Sequence, residues 1–374
     1  NSDNIDDLET KYLTYLPHDG FNNQRIALEN SIFLAWFLNR TLLIPPLLLF
    51  SGGAPSVYQQ YDKLYDLLSK SIQPKKNQFE FCSKRKCNST SCLEKNPMKC
   101  RNVTYTLYNW EELVDFTFLK NNIKYIHRQD FNFSYLLESI HIYNSTEVYN
   151  VTKDEHRYQQ RYYDDATSTI ELGKFKERVN LTDLSRRSEK LIHFGSIFSP
   201  KRIVRQLPES IEFWNKLINQ MLPNNPIIIN IVDKIIDKIG GTNSFIGVHA
   251  RLKNGFFVKR RNNTVQKLIN RVQTDFKDNI CLTTKIFLAT DLKQNHIFLK
   301  PFFQTFSCIY ILDDFIDFLE PLKGLKNLRD GIILYNFLIP LVDLFVVSKG
   351  GKFYGTENST FSSYAQRLNE VWIR

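Results

Sequence analysis

Residues 15–46 read YLPHDGFNNQRIALENSIFLAWFLNRTLLIPP, and they carry the pattern of an α/β unit. The apolar run Tyr12 to Leu16 predicts a strand. Pro17-His18-Asp19-Gly20 follows as a tight turn, with Gly20 free to take a positive φ. From Asn22 to Leu38, the residues Ile26, Ile32, Phe33, Leu34, Trp36 and Phe37 cover most of a helix, which predicts burial. Thr41 to Ile44 predicts a second strand, closed by Pro45-Pro46. Strand, turn, helix, strand is the first half of a Rossmann-like unit. Its helix start directs N–H groups and a positive dipole end at whatever lies above the turn. Asp19 sits at the same place, so the turn forms one wall of an active site.

The second half of the chain alternates. Helices are predicted over Glu209–Met221, Pro226–Ile239, Thr264–Phe276, Leu292–Pro301, Asn327–Ser348 and Phe361–Val371. Strands are predicted over Ser244–Ala250, Lys285–Ala289, Cys308–Leu312 and Phe353–Gly355. Such alternation implies a doubly wound parallel sheet, an α/β class. The 374 residues have room for two domains, with the boundary expected near Pro208: 1–207 and 208–374. Residues 152–169 show no period and predict a surface loop, and 47–81 predict loop and helix.

The net charge of +10 raises nucleic acid as a partner. Yet the 49 basic and 39 acidic residues are interspersed and no basic helix or arm stands out, so acidic or phosphorylated ligands, or simply a solvated basic surface, account for the charge and no nucleic acid is expected. Six cysteines occur. Cys82, Cys87, Cys92 and Cys100 have a spacing unlike zinc sites, so two local disulfides pinning an excursion at 82–100 are expected. Cys281 and Cys308 each precede a predicted strand, and parallel neighbours would bring them together. Nine Asn-x-Ser/Thr sequons, with the even cysteine count, place the chain in the secretory pathway lumen, endoplasmic reticulum or Golgi. The sequon at Asn358 falls in a motif expected to be buried, so no glycan is expected there. No membrane span is evident; a membrane would be met only through an N-terminal anchor already removed.

Four stretches fall at predicted strand ends: Asp19-Gly20-Phe21-Asn22, His249-Ala250-Arg251, Ala289-Thr290-Asp291 and Asn358-Ser359-Thr360-Phe361-Ser362. Ligands of doubly wound folds bind at the carboxyl ends of strands. Hydroxyls opening a helix suit a phosphate, as does the planar fork of Arg251. A carboxylate suits a general base. Together they describe a group transferase with a phosphorylated donor. Each also has a plainer reading: Ser359 and Thr360 as a helix cap, Arg251 paired with a surface acid, His249 as a core histidine, Asp19 as a turn residue, and Ala289-Thr290-Asp291 as a structural turn.

These stretches resemble the GDP-fucose O-fucosyltransferase superfamily, closest in the first motif to the type 2 protein enzymes. Gly20-Phe21-Asn22 with Asn39-Arg40-Thr41-Leu42 and Pro45-Pro46 matches the first motif. Ile246-Gly247-Val248-His249-Ala250-Arg251 matches the His-x-Arg motif. Asp343, then Tyr354-Gly355-Thr356-Glu357-Asn358-Ser359-Thr360-Phe361-Ser362, matches the closing one. The resemblance covers 15–46 and 244–365; the middle is unplaced. It implies a GT-B arrangement, two Rossmann-like domains facing across a cleft.

The resemblance also implies roles. Arg251 would contact the donor β-phosphate, His249 and Asp343 the guanine end. Ser359, Thr360 and Phe361 would hold phosphate and nucleotide, and Gly20, Phe21 and Asn22 would line fucose and phosphate. Asp19 matches the glutamate that acts as base in type 2 enzymes. No metal or other cofactor is implied. Where many relatives carry a second arginine and an acid, Leu252 and Asn254 stand here, unlike the α1,6-fucosyltransferases. The reaction implied is inverting transfer of fucose from GDP-fucose to a hydroxyl, most simply Ser or Thr of a protein. A glycan acceptor, or a non-catalytic module binding sugar nucleotides or glycans, are the alternatives.

Overall fold

The computed structural model describes residues 9–17, 19–51, 78–83, 99–151, 158–253, 255–276 and 281–373, with the side chains of 78–83 and 99–102 outside that description. The chain forms two compact units, Asn1–Leu222 and Pro223–Arg374.

The first unit is built on β1 (Tyr12–Thr14), α1 (Phe21–Leu38) and β2 (Thr41–Ile44). Three residues of β1 and four of β2 are all buried, as expected of strands covered on both faces. Gln24 through Ala35 of α1 are buried round the whole circumference. The helix closes at Asn39, which takes φ 49° and donates to the carbonyls of Ala35 and Trp36. Arg40 is buried and structural: its guanidinium donates to the carbonyls of Arg187 and Glu189, both at 2.8 Å. The expected strand–turn–helix–strand unit is present.

The remaining strands of this unit are β3 (Leu47–Ser51), β4 (Gln78–Ser83), β5 (Lys99–Tyr108), β6 (Tyr125–His127), β7 (Val148–Asn150), β8 (Gln160–Tyr163), β9 (Glu177–Asn180), β10 (Leu191–His193) and β11 (Ile203–Val204). The main sheet has the order β6-β2-β1-β10-β7, and every pair is parallel. β3-β5-β4 form an antiparallel sheet, with Cys82 opposite Cys100. The disulfides expected among Cys82, Cys87, Cys92 and Cys100 lie outside the described residues.

Three expectations change here. The stretch 47–81, expected as loop and helix, opens in β3 and ends within β4. The stretch 152–169 contains β8, centre of a parallel sheet ordered β11-β8-β9, with Tyr162 and Tyr163 wholly buried. A two-residue core contact carries too little period to show in the sequence. The domain boundary also moves from Pro208 to after Leu222. The cause is α2 (Pro208–Gln220), whose Phe213 ring stacks on Trp36 of α1 at 4.3 Å and so belongs to the first unit.

The second unit contains α3 (Pro226–Ile239), β12 (Phe245–Ala250), α4 (Arg261–Phe276), β13 (Lys285–Thr290), β14 (Ile309–Tyr310), α5 (Tyr335–Ser348), β15 (Lys352–Gly355) and α6 (Thr360–Trp372). Its sheet is parallel, ordered β14-β13-β12-β15. Alternate residues of β12 serve the two faces. Ile246, Val248 and Ala250 join Val265, Leu268 and Ile269 of α4 in one core. On the other face α5 lies so close that a Cβ at Gly247 would stand 2.0 Å from the Val347 carbonyl oxygen. Both faces are thus covered by helices, as a doubly wound sheet requires.

The helix expected over Asn327–Ser348 begins only at Tyr335. Before it, Gly331 takes φ 74° and Lys326 bridges Ile333 in an antiparallel turn. Asn327 accepts the Arg329 N–H at 3.0 Å, satisfying the turn locally at the expense of helix. Cys281 and Cys308 form a disulfide with Cα atoms 5.1 Å apart, as their place before two adjacent parallel strands implies.

Candidate active site

In the first unit the site residues lie where β1 leads into α1. The positive φ falls on Asp19 (57°), while Gly20 is the N-cap at φ −77°. Asp tolerates the left-handed region through its short polar side chain, so the turn does not need its glycine for that purpose. A Cβ built at Gly20 meets nothing within 4 Å. The Asp19 carboxylate accepts a hydrogen bond from the Asn23 amide at 3.2 Å. Its main chain is clamped by Gln24, whose amide donates to the Asp19 carbonyl at 2.8 Å. The same Gln24 donates to the Leu48 carbonyl at 2.6 Å and accepts the Leu48 N–H at 3.0 Å. Gln24, unremarked in the sequence, therefore fixes the turn to β3. Phe21 packs against Trp110, with ring centroids 5.9 Å apart. The Oδ1 atoms of Asn22 and Asn23 are buried without a hydrogen bond. Orphaned acceptors at a helix start call for a ligand or ordered water to satisfy them.

In the second unit β12 lies between β13 and β15. The helices that follow β12 and β15 lie on opposite faces: α4 packs on the Ile246 side, while α6 packs on α5. Strands that part their following helices in this way open a crevice at their carboxyl ends. His249, Arg251, Ser359, Thr360 and Phe361 gather there.

His249 is buried, its ring stacked on Phe361 at 4.0 Å and its Nδ1 2.6 Å from Oγ of Ser362. Burial, then the nearby Arg251 charge, pushes its pKa down to about 3, so the ring is neutral at ordinary pH. Thr356 links it to the arginine: its Oγ1 donates to the His249 carbonyl at 2.9 Å and accepts the Arg251 N–H at 2.9 Å. The Arg251 side chain, partly exposed, has its Nε 3.3 Å from Oδ2 of Asp291. Asp291 also accepts the N–H groups of Leu252 at 2.7 Å and Lys253 at 2.9 Å. Asp291 is the residue that sequence reasoning set aside as structural. A carboxylate one position past β13, read against an arginine one position past the adjacent β12, was the available signal. Leu252 is fully buried in the core under α4, which explains why no second arginine stands there.

Ser359 is buried and caps α6, its Oγ accepting the Ser362 N–H at 3.4 Å. Asn358 itself is exposed with φ 61°, so the burial expected of that sequon is confined to Ser359. Asp343 projects from α5. Its Oδ1 is buried without a partner. Burial, then Asp313, pushes its pKa up to about 8, opposed by a hydrogen bond from the Thr290 N–H. Thr290 adjoins Asp291, so a continuous path runs from Asp343 to Arg251. Among the described residues, no group of three His, Cys, Asp or Glu side chains stands together as a metal cluster.

A family model described as GDP-fucose protein O-fucosyltransferase matches residues 12–371. O-fucosyltransferase 30 of Arabidopsis thaliana is 51% identical over 41 residues, a match spanning 11% of this chain and 8% of that relative. Among solved structures, POFUT1 in complex with GDP-fucose is 12% identical over 96% of this chain and 94% of that one, with a TM-score of 0.46. The fucosyltransferase NodZ from Bradyrhizobium is 13% identical over 96% and 93%, with a TM-score of 0.45. By the family match over residues 12–371, this α/β chain is a member of a glycosyltransferase family. It belongs to the GDP-fucose protein O-fucosyltransferase family, whose model spans nearly all of it.

Proposed function

We propose that this protein transfers fucose from GDP-fucose to a hydroxyl, Ser or Thr of a protein, with inversion and without a metal. The observation that carries the reading is the Arg251–Asp291 pair at the carboxyl end of β12, beside the start of α6 and inside the matched family region. In this reading the glycosidic C1–O bond to the β-phosphate breaks and its electrons pass to the diphosphate. Arg251 stabilises that charge through its fork, and the α6 N–H groups add to it. The sugar passes through an oxocarbenium-like state, and the acceptor oxygen attacks the opposite face of C1. The Asp19 carboxylate takes the acceptor proton. Gly20, Phe21 and Asn22 line the fucose and phosphate, and the orphaned Oδ1 of Asn22 supports this by offering an acceptor to a sugar hydroxyl. Neutral His249 cannot carry a charge; stacked on Phe361, it shapes the nucleotide pocket. Asp343, protonated below about pH 8, offers an O–H and a carbonyl to the guanine edge. Ser359, Thr360 and Phe361 hold the phosphates.

The Cys281–Cys308 disulfide and the sequons support a place in the secretory pathway lumen. The test is GDP release from GDP-fucose in the presence of EDTA, with a Ser/Thr-bearing acceptor and product anomer read by NMR. Retained configuration, or activity only with added manganese, would contradict the mechanism.

A further inference from the structure

Within the interspersed charge of the chain, residues 238–274 form the longest stretch without an acid. Residues 252–271, LKNGFFVKRRNNTVQKLINR, carry six basic side chains and no acid. Three of them, Arg260, Lys267 and Arg271, line a pocket with Phe256, Phe257 and Thr356. Thr356 is the residue that accepts the Arg251 N–H, so the pocket adjoins the Arg251 turn. Arg261 is not available to a ligand, because its guanidinium donates to the carbonyls of Leu252 and Lys253 and folds the loop back. Lys267 meets Glu357 at 3.4 Å, an exposed pair of little strength. Arg271 stands near Asp275, but that carboxylate is already held by Lys352 and by the Tyr354 hydroxyl. Arg260 lies over the Phe256 ring at 4.5 Å. Phe257 meets Phe256 edge-on at 5.1 Å. The guanidinium is thereby oriented in advance by the Phe256 ring.

We propose that this pocket holds an acidic segment of the protein acceptor, Asp or Glu side chains pairing with Arg260, Lys267 and Arg271. The proposal rests on the protein-acceptor reading above. Carboxylates complement three cations clustered against one acid, and a polypeptide can place several at side-chain spacing. Aromatic and arginine side chains together are what protein interfaces use. Exposed Phe256 and Val258 give the rim an apolar contact.

The test uses the intact protein and a fluorescein-labelled oligoglutamate, with oligogalacturonate as the glycan arm. The expected result is salt-sensitive oligoglutamate binding, weakened about tenfold or more in Arg260→Gln/Lys267→Gln/Arg271→Gln. Lys259→Gln, outside the pocket, should bind as wild type. Acceptor-free hydrolysis of GDP-fucose should be unchanged in both variants, and their thermal melts should match. Absent binding, equal binding by the triple variant, an equal loss in Lys259→Gln, or tighter binding of oligogalacturonate would each overturn the proposal. Lack of GDP-fucose hydrolysis by the wild type, with the oligoglutamate pattern intact, would instead sink the donor reading and leave the pocket standing.

Discussion

Asp291 holds Arg251 by an ion pair of 3.3 Å and, with the same carboxylate, caps the two N–H groups that follow. One side chain therefore sets both the arginine and the loop that carries it. Asp291→Asn keeps the shape, loses the charge and turns an amide N–H toward a backbone donor. We expect kcat to fall about tenfold to a hundredfold, a loss of about 1.4–3 kcal/mol. Arg251→Ala should abolish detectable transfer. Steady-state GDP release measures both, and wild-type kcat in Asp291→Asn would remove its positioning role.

Asp19→Asn should lower transfer by roughly 10²–10⁴ while leaving GDP affinity intact, because the amide cannot take the acceptor proton. The backbone should tolerate the change, since Asn adopts φ 57° as readily as Asp does. Turnover near wild type at saturating acceptor would show that the carboxylate only shapes the turn.

Asp343 makes stability depend on pH. Its carboxyl is protonated in the folded state up to about pH 8, whereas the unfolded chain releases the proton near 3.8. Between those values the folded state binds more protons, so this residue's contribution is present at acid pH and declines as pH rises toward 8. Asp343→Asn removes the decline. The melting temperature of the variant, relative to wild type, should therefore rise steadily from pH 5 to pH 8.5. A difference that stays flat with pH would mean the carboxyl is ionised throughout.

Cys281→Ser should destabilise the second unit by about 3.5 kcal/mol, the loop-closure value for a separation of 27 residues. Mass spectrometry of a non-reduced digest should show Cys281 and Cys308 joined, and thermal melts with and without reductant should reproduce the loss. Free thiols at these positions in the folded protein would contradict the pairing.

The elements that rest on local chemistry are legible in the order of the residues. The apolar run, turn and buried helix of residues 12–44 are legible, since period and turn residues act within a few positions. Helix Pro226–Ile239 is legible to the residue, with Pro at its first position and Gly240 after its last. The motif residues at strand ends were legible as a set, because a parallel sheet puts ligand-binding groups at carboxyl ends whatever the strand order. Which of them meet is settled by packing. His249 reaches Ser362 across 113 residues and Leu252 reaches Asp291 across 39. No local signal encodes such partners, because the side-chain period of a strand names a face and not a neighbour. The same holds for Gln24 and Leu48, for the buried strand at Tyr162 and Tyr163, and for the packing of the Pro208 helix on Trp36. In each case burial against a distant segment supplied the stabilisation, and that segment is chosen when the chain packs.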